Sequence, residues 1–345
     1  MQTSKAPSGR LTSKSRRTNT IAVRWPLLVA LPLIIGQVRC RPAAGEPGVW
    51  TKRNSSEINL TAVAWSGRQF LAVGCCSVLT SPDGQKWTRV ARELGYGEPV
   101  TAGSMPYQWQ FESVVWGGSQ FVAVGRVVGQ AVPLRWDRAL IATSPDGAMW
   151  TERRASTEAK VLRDVVWSGH RFVAVGDAIF TSSDGVTWSA QRPPGGGELS
   201  AVTWADSEFV AVGWKSGVVT SRDGITWTER GARGASLRNI AWSGHQFVAL
   251  ELTMIFTSPD AVTWSPRKQP TGGFLNAVTW GDSQFVVVGA AGIIVSPDGI
   301  TWTLQPAPRG MYADVVWSGT RFVAVGEVRK GWFADYTVGL IVTSP

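Results

Sequence analysis

Hydrophobic positions in this chain come in short runs of four to six residues, cut by Gly, Ser and Asp. One pattern recurs seven times: "LTAVAWSGRQFLAVG" (60–74), "FESVVWGGSQFVAVG" (111–125), "VLRDVVWSGHRFVAVG" (161–176), "LSAVTWADSEFVAVG" (199–213), "LRNIAWSGHQFVAL" (237–250), "LNAVTWGDSQFVVVG" (275–289) and "YADVVWSGTRFVAVG" (312–326). Its tryptophans are Trp65, Trp116, Trp167, Trp204, Trp242, Trp280 and Trp317, at separations of 51, 51, 37, 38, 38 and 37 residues. The unit is therefore near 38 residues, with insertions in the first two intervals. Runs rich in Val, Ile, Phe and Trp between turn residues predict strands and hairpins. No stretch of helical period appears beyond the N-terminal segment.

Each unit divides into four strands, typified by "AVTW", "QFVVVG", "GIIVS" and "ITWTL", with "GDS" and "PDG" at the hairpin turns. Four-stranded antiparallel units of this length, repeated about an axis, are propeller blades. The expected fold is all-β: a seven-bladed β-propeller of four-stranded antiparallel blades. A second motif follows the first in six units, as "TSPDGQKWT" (80–88), "TSPDGAMWT" (143–151), "TSSDGVTWS" (181–189), "TSRDGITWT" (220–228), "TSPDAVTWS" (257–265) and "VSPDGITWT" (295–303). In the seventh unit the chain reaches "IVTSP" (341–345), and the missing outer strand resembles "GVWTKR" (48–53). The N-terminal strand is expected to pair in the last blade and close the ring, which removes an exposed sheet edge.

The second motif has the chemistry of a hairpin clamp. Asp and Ser side chains bond the backbone of their own turn, Gly accepts a positive φ, and Trp packs between blades. Burying one indole contributes up to about 4–6 kcal/mol. Asp83, Asp146, Asp184, Asp223, Asp260 and Asp298 are thus expected to be structural, with Asp260 in the weakest clamp because Ala261 replaces Gly. The S-x-D-G-x-T-W spacing resembles the Asp-box, or BNR, repeat of sialidases and related exported propellers, one residue shorter between Asp and Gly. The layout is also similar to the photosystem II assembly and stability factor family. These resemblances imply the propeller fold and leave hydrolase, receptor and assembly roles open.

Charge alters the picture in one place. The formal net charge is +9, but residues 1–44 hold eight basic residues and no acid, leaving 26 basic against 25 acidic residues beyond them. The near-neutral remainder argues against a nucleic-acid partner. The basic start runs into "WPLLVALPLIIG" (Trp25–Gly36), too short to span a bilayer comfortably, then into polar and small residues. Residues 1–44 read as a leader and 45–345 as a single propeller. An extracytoplasmic (periplasmic or secreted) location follows, with an uncleaved N-terminal anchor as the alternative and sole membrane contact. Adjacent Cys75 and Cys76 suit either a vicinal disulfide or two small residues at a turn.

Function is expected on one face. The Asp-boxes and the "WSGH" histidines, His170 and His245, lie on the lower face, and the histidines are too far apart to form a pair. The irregular segments map to the upper face, where blades seven, one and two carry long insertions. Aromatic residues outside the repeat positions, namely Tyr107, Trp109, Trp136, Trp214, Trp332 and Tyr336, are candidates for recognition there. So is the variable residue four before each first-motif tryptophan: Thr61, Glu112, Arg163, Ser200, Arg238, Asn276 and Ala313. Asp164, Asn239 and Asp314, one place on, extend that rim. The pattern favours a monomeric, non-catalytic binding or assembly scaffold for protein or glycan, needing no cofactor or metal. The competing reading is a sialidase-type glycoside hydrolase or lyase, using Glu112, Asp164, Asp314 or Asp335 with Arg163 and Arg238. Such chemistry needs paired carboxylates about 5–10 Å apart.

Overall fold

The structure, a computed structural model, describes residues 49–53, 59–75, 77–91, 108–131, 134–153, 159–214, 216–231, 236–330 and 336–345. The strands form seven four-stranded antiparallel sheets. Their inner strands are Leu60–Trp65, Gln108–Trp116, Leu162–Trp167, Glu198–Ala205, Asn239–Trp242, Leu275–Gly281 and Met311–Trp317. The ring closes as the sequence pattern requires. Thr51–Lys52 pairs with Tyr336–Thr343 in register Thr51↔Thr343 and Lys52↔Val342, and Trp50 is buried against blades six and seven.

The core lies between blades rather than within them. Seven clusters of buried residues occur, and each joins two neighbouring blades. Alternate residues along a strand face opposite sides, so each sheet offers an apolar face to both neighbours. Within a blade, the inner-strand tryptophan stacks on the first residue of the next strand, as in Trp65–Phe70 at 4.3 Å and Trp167–Phe172 at 4.1 Å.

The second motif is a hydrogen-bonded clamp. In blade four, the Ile225 and Thr226 amides donate to Asp223 Oδ1 (2.8 and 2.7 Å), the Gly224 amide donates to Ser221 Oγ (2.8 Å), and Trp227 Nε1 donates to the Gly224 carbonyl (3.0 Å). Those backbone amides hold the Asp223 carboxyl down to about 2, and similar bonds lower the other five box aspartates. The fourth strand starts only after the box tryptophan, as at Thr303–Gln305, because the indole is committed to its own turn. In blade five Ala261 adopts a φ of +58°, and its bond from Trp264 Nε1 is 3.2 Å.

Two inserted segments continue the sheet. In blade two the second and third strands run Phe121–Ala131 and Leu134–Ser144, and in blade seven Phe322–Lys330 and Tyr336–Thr343. Both hairpins extend beyond the ordinary blade height on the upper side.

Candidate binding site at the upper channel mouth

The inner strands share a local irregularity that builds the channel mouth. In six blades the pairing skips one residue near the upper end, between Leu60/Ala62, Phe111/Ser113, Leu162/Asp164, Leu199/Ala201, Leu275/Ala277 and Tyr312/Asp314. The skipped residues are Thr61, Glu112, Arg163, Ser200, Asn276 and Ala313, which are six of the seven variable rim positions. A bulge residue is unpaired in its ladder and its side chain is re-aimed, so the position tolerates any chemistry. Opposite each bulge stands a glycine: Gly74, Gly125, Gly176, Gly213, Gly289 or Gly326. A Cβ there would overlap the carbonyl oxygen that precedes the bulge, such as that of Glu198 opposite Gly213. Blade five has Leu250 instead. Its inner strand starts at Asn239, and the Arg238 amide bonds the Leu250 carbonyl at 2.7 Å.

Two rim residues serve the ring itself. Thr61 Oγ1 donates to the Phe111 carbonyl (2.7 Å), and Asn276 Nδ2 donates to the Tyr312 carbonyl (2.6 Å), each reaching the next blade. The positions one step on are staples of the same kind. The Val202 amide donates to Asp164 Oδ2 (2.9 Å), the Val63 amide to Asp314 Oδ2 (2.9 Å) and the Val278 amide to Asn239 Oδ1 (3.1 Å). Ser113 Oγ adds a bond to Asp164 Oδ1 at 2.8 Å. Where one blade carries the Asp or Asn, the next has alanine: Ala201, Ala62 and Ala277. Asp164 and Asp314 are half-buried as whole residues, with their carboxyl groups enclosed by protein. Burial pushes Asp164 up to about 6 against its three hydrogen bonds, and pushes Asp314 up to about 7, with the Asp164 charge adding to the rise.

Above the staples opens a cavity of about 560 Å³ lined by Glu112, Arg163, Glu198, Ser200, Trp214, Ser236, Arg238, Glu251, Leu252, Leu275 and Asn276. It spans blades two to six. Arg163 Nη2 pairs with Glu198 Oε2 at 3.0 Å, and Arg126 Nε approaches Glu112 Oε1 at 3.8 Å. Burial raises the Glu112 carboxyl, opposed by Arg126 and Arg163. Arg238 and Glu251 make no ion pair among the described residues. Trp214 is 52% exposed at the rim. The lower face holds a cavity of about 620 Å³ between blades one and two, bounded by Gln69 and Asp146. There Gln69 Nε2 bonds the Asp146 carbonyl, a contact repeated by Gln120 with Asp184 and by Gln246 with Asp298. That face is regular.

Of the sequence candidates, Glu112, Arg163, Ser200, Arg238, Asn276 and Trp214 come together at the cavity. Trp109 is partly buried in the cluster between blades one and two, edge-on to Phe111 at 6.1 Å. Trp136 and Tyr336 fall on the long hairpins, at Trp136↔Gly129 and Tyr336↔Lys330. Tyr107, Trp332, Asp335 and Cys76 lie outside the described residues, as do the side chains of Trp136 and Tyr336. The six box aspartates sit in their turns, and none lines this cavity. Glu198, Ser236, Glu251, Leu252 and Leu275 are lining residues that the sequence reading did not single out.

No family model and no curated protein matches the sequence. Solved structures do resemble the fold. YCF48 from Cyanidioschyzon merolae superposes with a TM-score of 0.58 at 16% identity, covering 85% of this chain and 98% of that one. Virginiamycin B lyase from Staphylococcus aureus gives 0.63 at 10% identity, with 85% and 98% covered. A chain of the mitotic checkpoint complex gives 0.58 at 12%, with 94% and 98% covered. At these identities the likeness shows a shared seven-bladed propeller.

Proposed function

We propose that this protein is an exported, non-catalytic binding or assembly scaffold that engages protein or glycan through its upper face. The observation that carries this reading is the 560 Å³ mouth cavity, where charged side chains and a half-exposed indole converge above a rigid, stapled ring. The box geometry supports the Asp-box resemblance, and the long hairpins of blades two and seven support a raised sector beside the cavity. Leader-directed export belongs to the same proposal.

The charge arrangement weighs against hydrolysis. Asp164 and Asp314 are occupied as acceptors for backbone amides, and Glu198 is paired with Arg163. Glu112 alone favours the hydrolase or lyase alternative, since a half-buried carboxyl with a raised pKa suits a general acid. Incubation with an aryl-glycoside panel decides between the two. The scaffold reading expects no turnover by wild type, whereas turnover abolished in Glu112→Gln would establish the enzyme. For binding, wild type, a Trp214→Ala/Arg238→Ala variant and a lower-face Met149→Ser control are compared on glycan arrays and in crosslinked pull-downs. Loss of a ligand only in the upper-face variant is expected; equal recovery by all three would refute the reading.

A further inference from the structure

Blade five breaks the repeat at the upper face, and the break exposes apolar side chains near two charged residues that make no ion pair among the described residues. Leu250 stands where the other blades have glycine, and the turn that follows is Glu251-Leu252-Thr253-Met254. Leu252 and Met254 are 42% and 43% exposed, and Phe274, on the link to blade six, is 54% exposed. Trp214 and Leu252 line the cavity, and Met254 and Phe274 lie on the same turn and the adjoining link; Trp, Phe and Met are enriched at protein interfaces. The backbone beneath them is fixed. Glu251 and Met254 exchange amide–carbonyl bonds (3.0 and 3.3 Å), and the Leu275 amide bonds the Leu252 carbonyl (2.8 Å). Gln269 Nε2 bonds the Thr253 and Gly273 carbonyls (2.9 Å each), tying the turn to the link. Such pre-organised presentation lowers the entropy cost of binding.

We infer that this rim is a docking surface for an extended protein segment that places an apolar side chain between one acidic and one basic residue. The inference rests on the scaffold reading and specifies its ligand class. Arg238 and Glu251 flank the cavity on blade five, and neither has an ion-pair partner among the described residues, although Glu251 Oε1 accepts the Ser236 amide at 3.4 Å; Arg163 pairs with Glu198 and Arg126 with Glu112. A guanidinium fork matches a carboxylate in two-point contact, and Glu251 offers the complementary acceptor for a lysine or arginine. A glycan fits less well. Trp214 suits stacking on a sugar ring, but Leu252, Met254 and Phe274 offer its hydroxyls no hydrogen bonds.

The test uses the whole chain on an array of immobilised 12-residue peptides with a Leu or Phe centre flanked by Glu and Lys, by Glu only, by Lys only, or by neither, beside a glycan array. Binding is expected to be strongest for peptides carrying both charges and at least tenfold weaker for Leu252→Ser/Met254→Ser. Arg238→Gln should erase the preference for Glu, and Glu251→Gln the preference for Lys. Circular dichroism of each variant identifies any that fail to fold; Arg238 is exposed and Glu251→Gln keeps an oxygen for the Ser236 amide, so the single charge variants are expected to fold and supply the decisive comparison. Charge-independent peptide binding would overturn the inference. So would glycan binding that depends on Trp214, which leaves the scaffold reading intact. No upper-face binding to either array would defeat both.

Discussion

Aspartate plays two opposite electrostatic roles in this ring. Box aspartates are exposed, accept backbone amides and are held below their ordinary range, so they contribute stability that is lost as pH falls below about 4. Asp164 and Asp314 are raised by burial. Between the unfolded value near 3.8 and their folded values of about 6 and 7, the native ring holds protons that the unfolded chain has released. Their contribution is greatest below about 4 and is lost as pH rises through about 7. Chemical denaturation should therefore show a lower midpoint at pH 8 than at pH 5.5. Asp314→Asn, which keeps an oxygen for the Val63 amide, should reduce that difference; an unchanged difference would remove Asp314 from the account. The box was legible in the sequence because six copies repeat one spacing. The staples were not, because Asp164, Asn239 and Asp314 look like solvated rim polars until the alanine in each following blade is noticed. Ala261 offers a second test at this scale. Its left-handed φ costs about 1–2 kcal/mol in a residue with a Cβ, so Ala261→Gly should raise the melting temperature, less the lost methyl packing. Gly224→Ala, whose Cβ would meet Val173 and Arg171 at a φ of +70°, should lower it.

Strands and their pairing carry the closure and the shape of the mouth. Four strands per blade and the N-terminal closing strand could be read from periodicity and from the resemblance of "GVWTKR" to the other outer strands. The bulges could not, because a bulge leaves no hydrophobic signature; its trace is the glycine opposite. Gly213→Ala should cost about 1–3 kcal/mol through backbone overlap with the Glu198 carbonyl, measured as a shift in denaturant midpoint. Trp50 substitutes for a box tryptophan in blade seven, 6.3 Å from Phe322. Trp50→Ala is expected to cost about 3–5 kcal/mol and to lower one cooperative transition, since every core cluster bridges two blades. A separate early transition would show that the ring does not close through this strand. The long hairpins were read as loop insertions, because apolar residues in "RVVGQAVPLRWDRALI" suit either a loop core or a lengthened sheet.

At the scale of the molecule, the two faces divide regularity from variation. The lower face repeats the same hydrogen-bonded turn in six blades and the same glutamine contact at three blade junctions. The upper face gathers six bulges, two raised hairpins, an apolar rim and the charged cavity. The sequence reading looked for function on the upper face and centred attention on blades seven, one and two. The cavity among the described residues spans blades two to six, because spacing along a chain does not reveal which rim side chains remain unpaired. The direct test is hydrogen–deuterium exchange on the wild-type ring with and without a ligand recovered from the arrays or pull-downs. Protection is expected at 198–200, 236–238, 251–254 and 274–276, with the aspartate turns of the second motif unchanged. Protection confined to the box turns would contradict the assignment of recognition to the upper face.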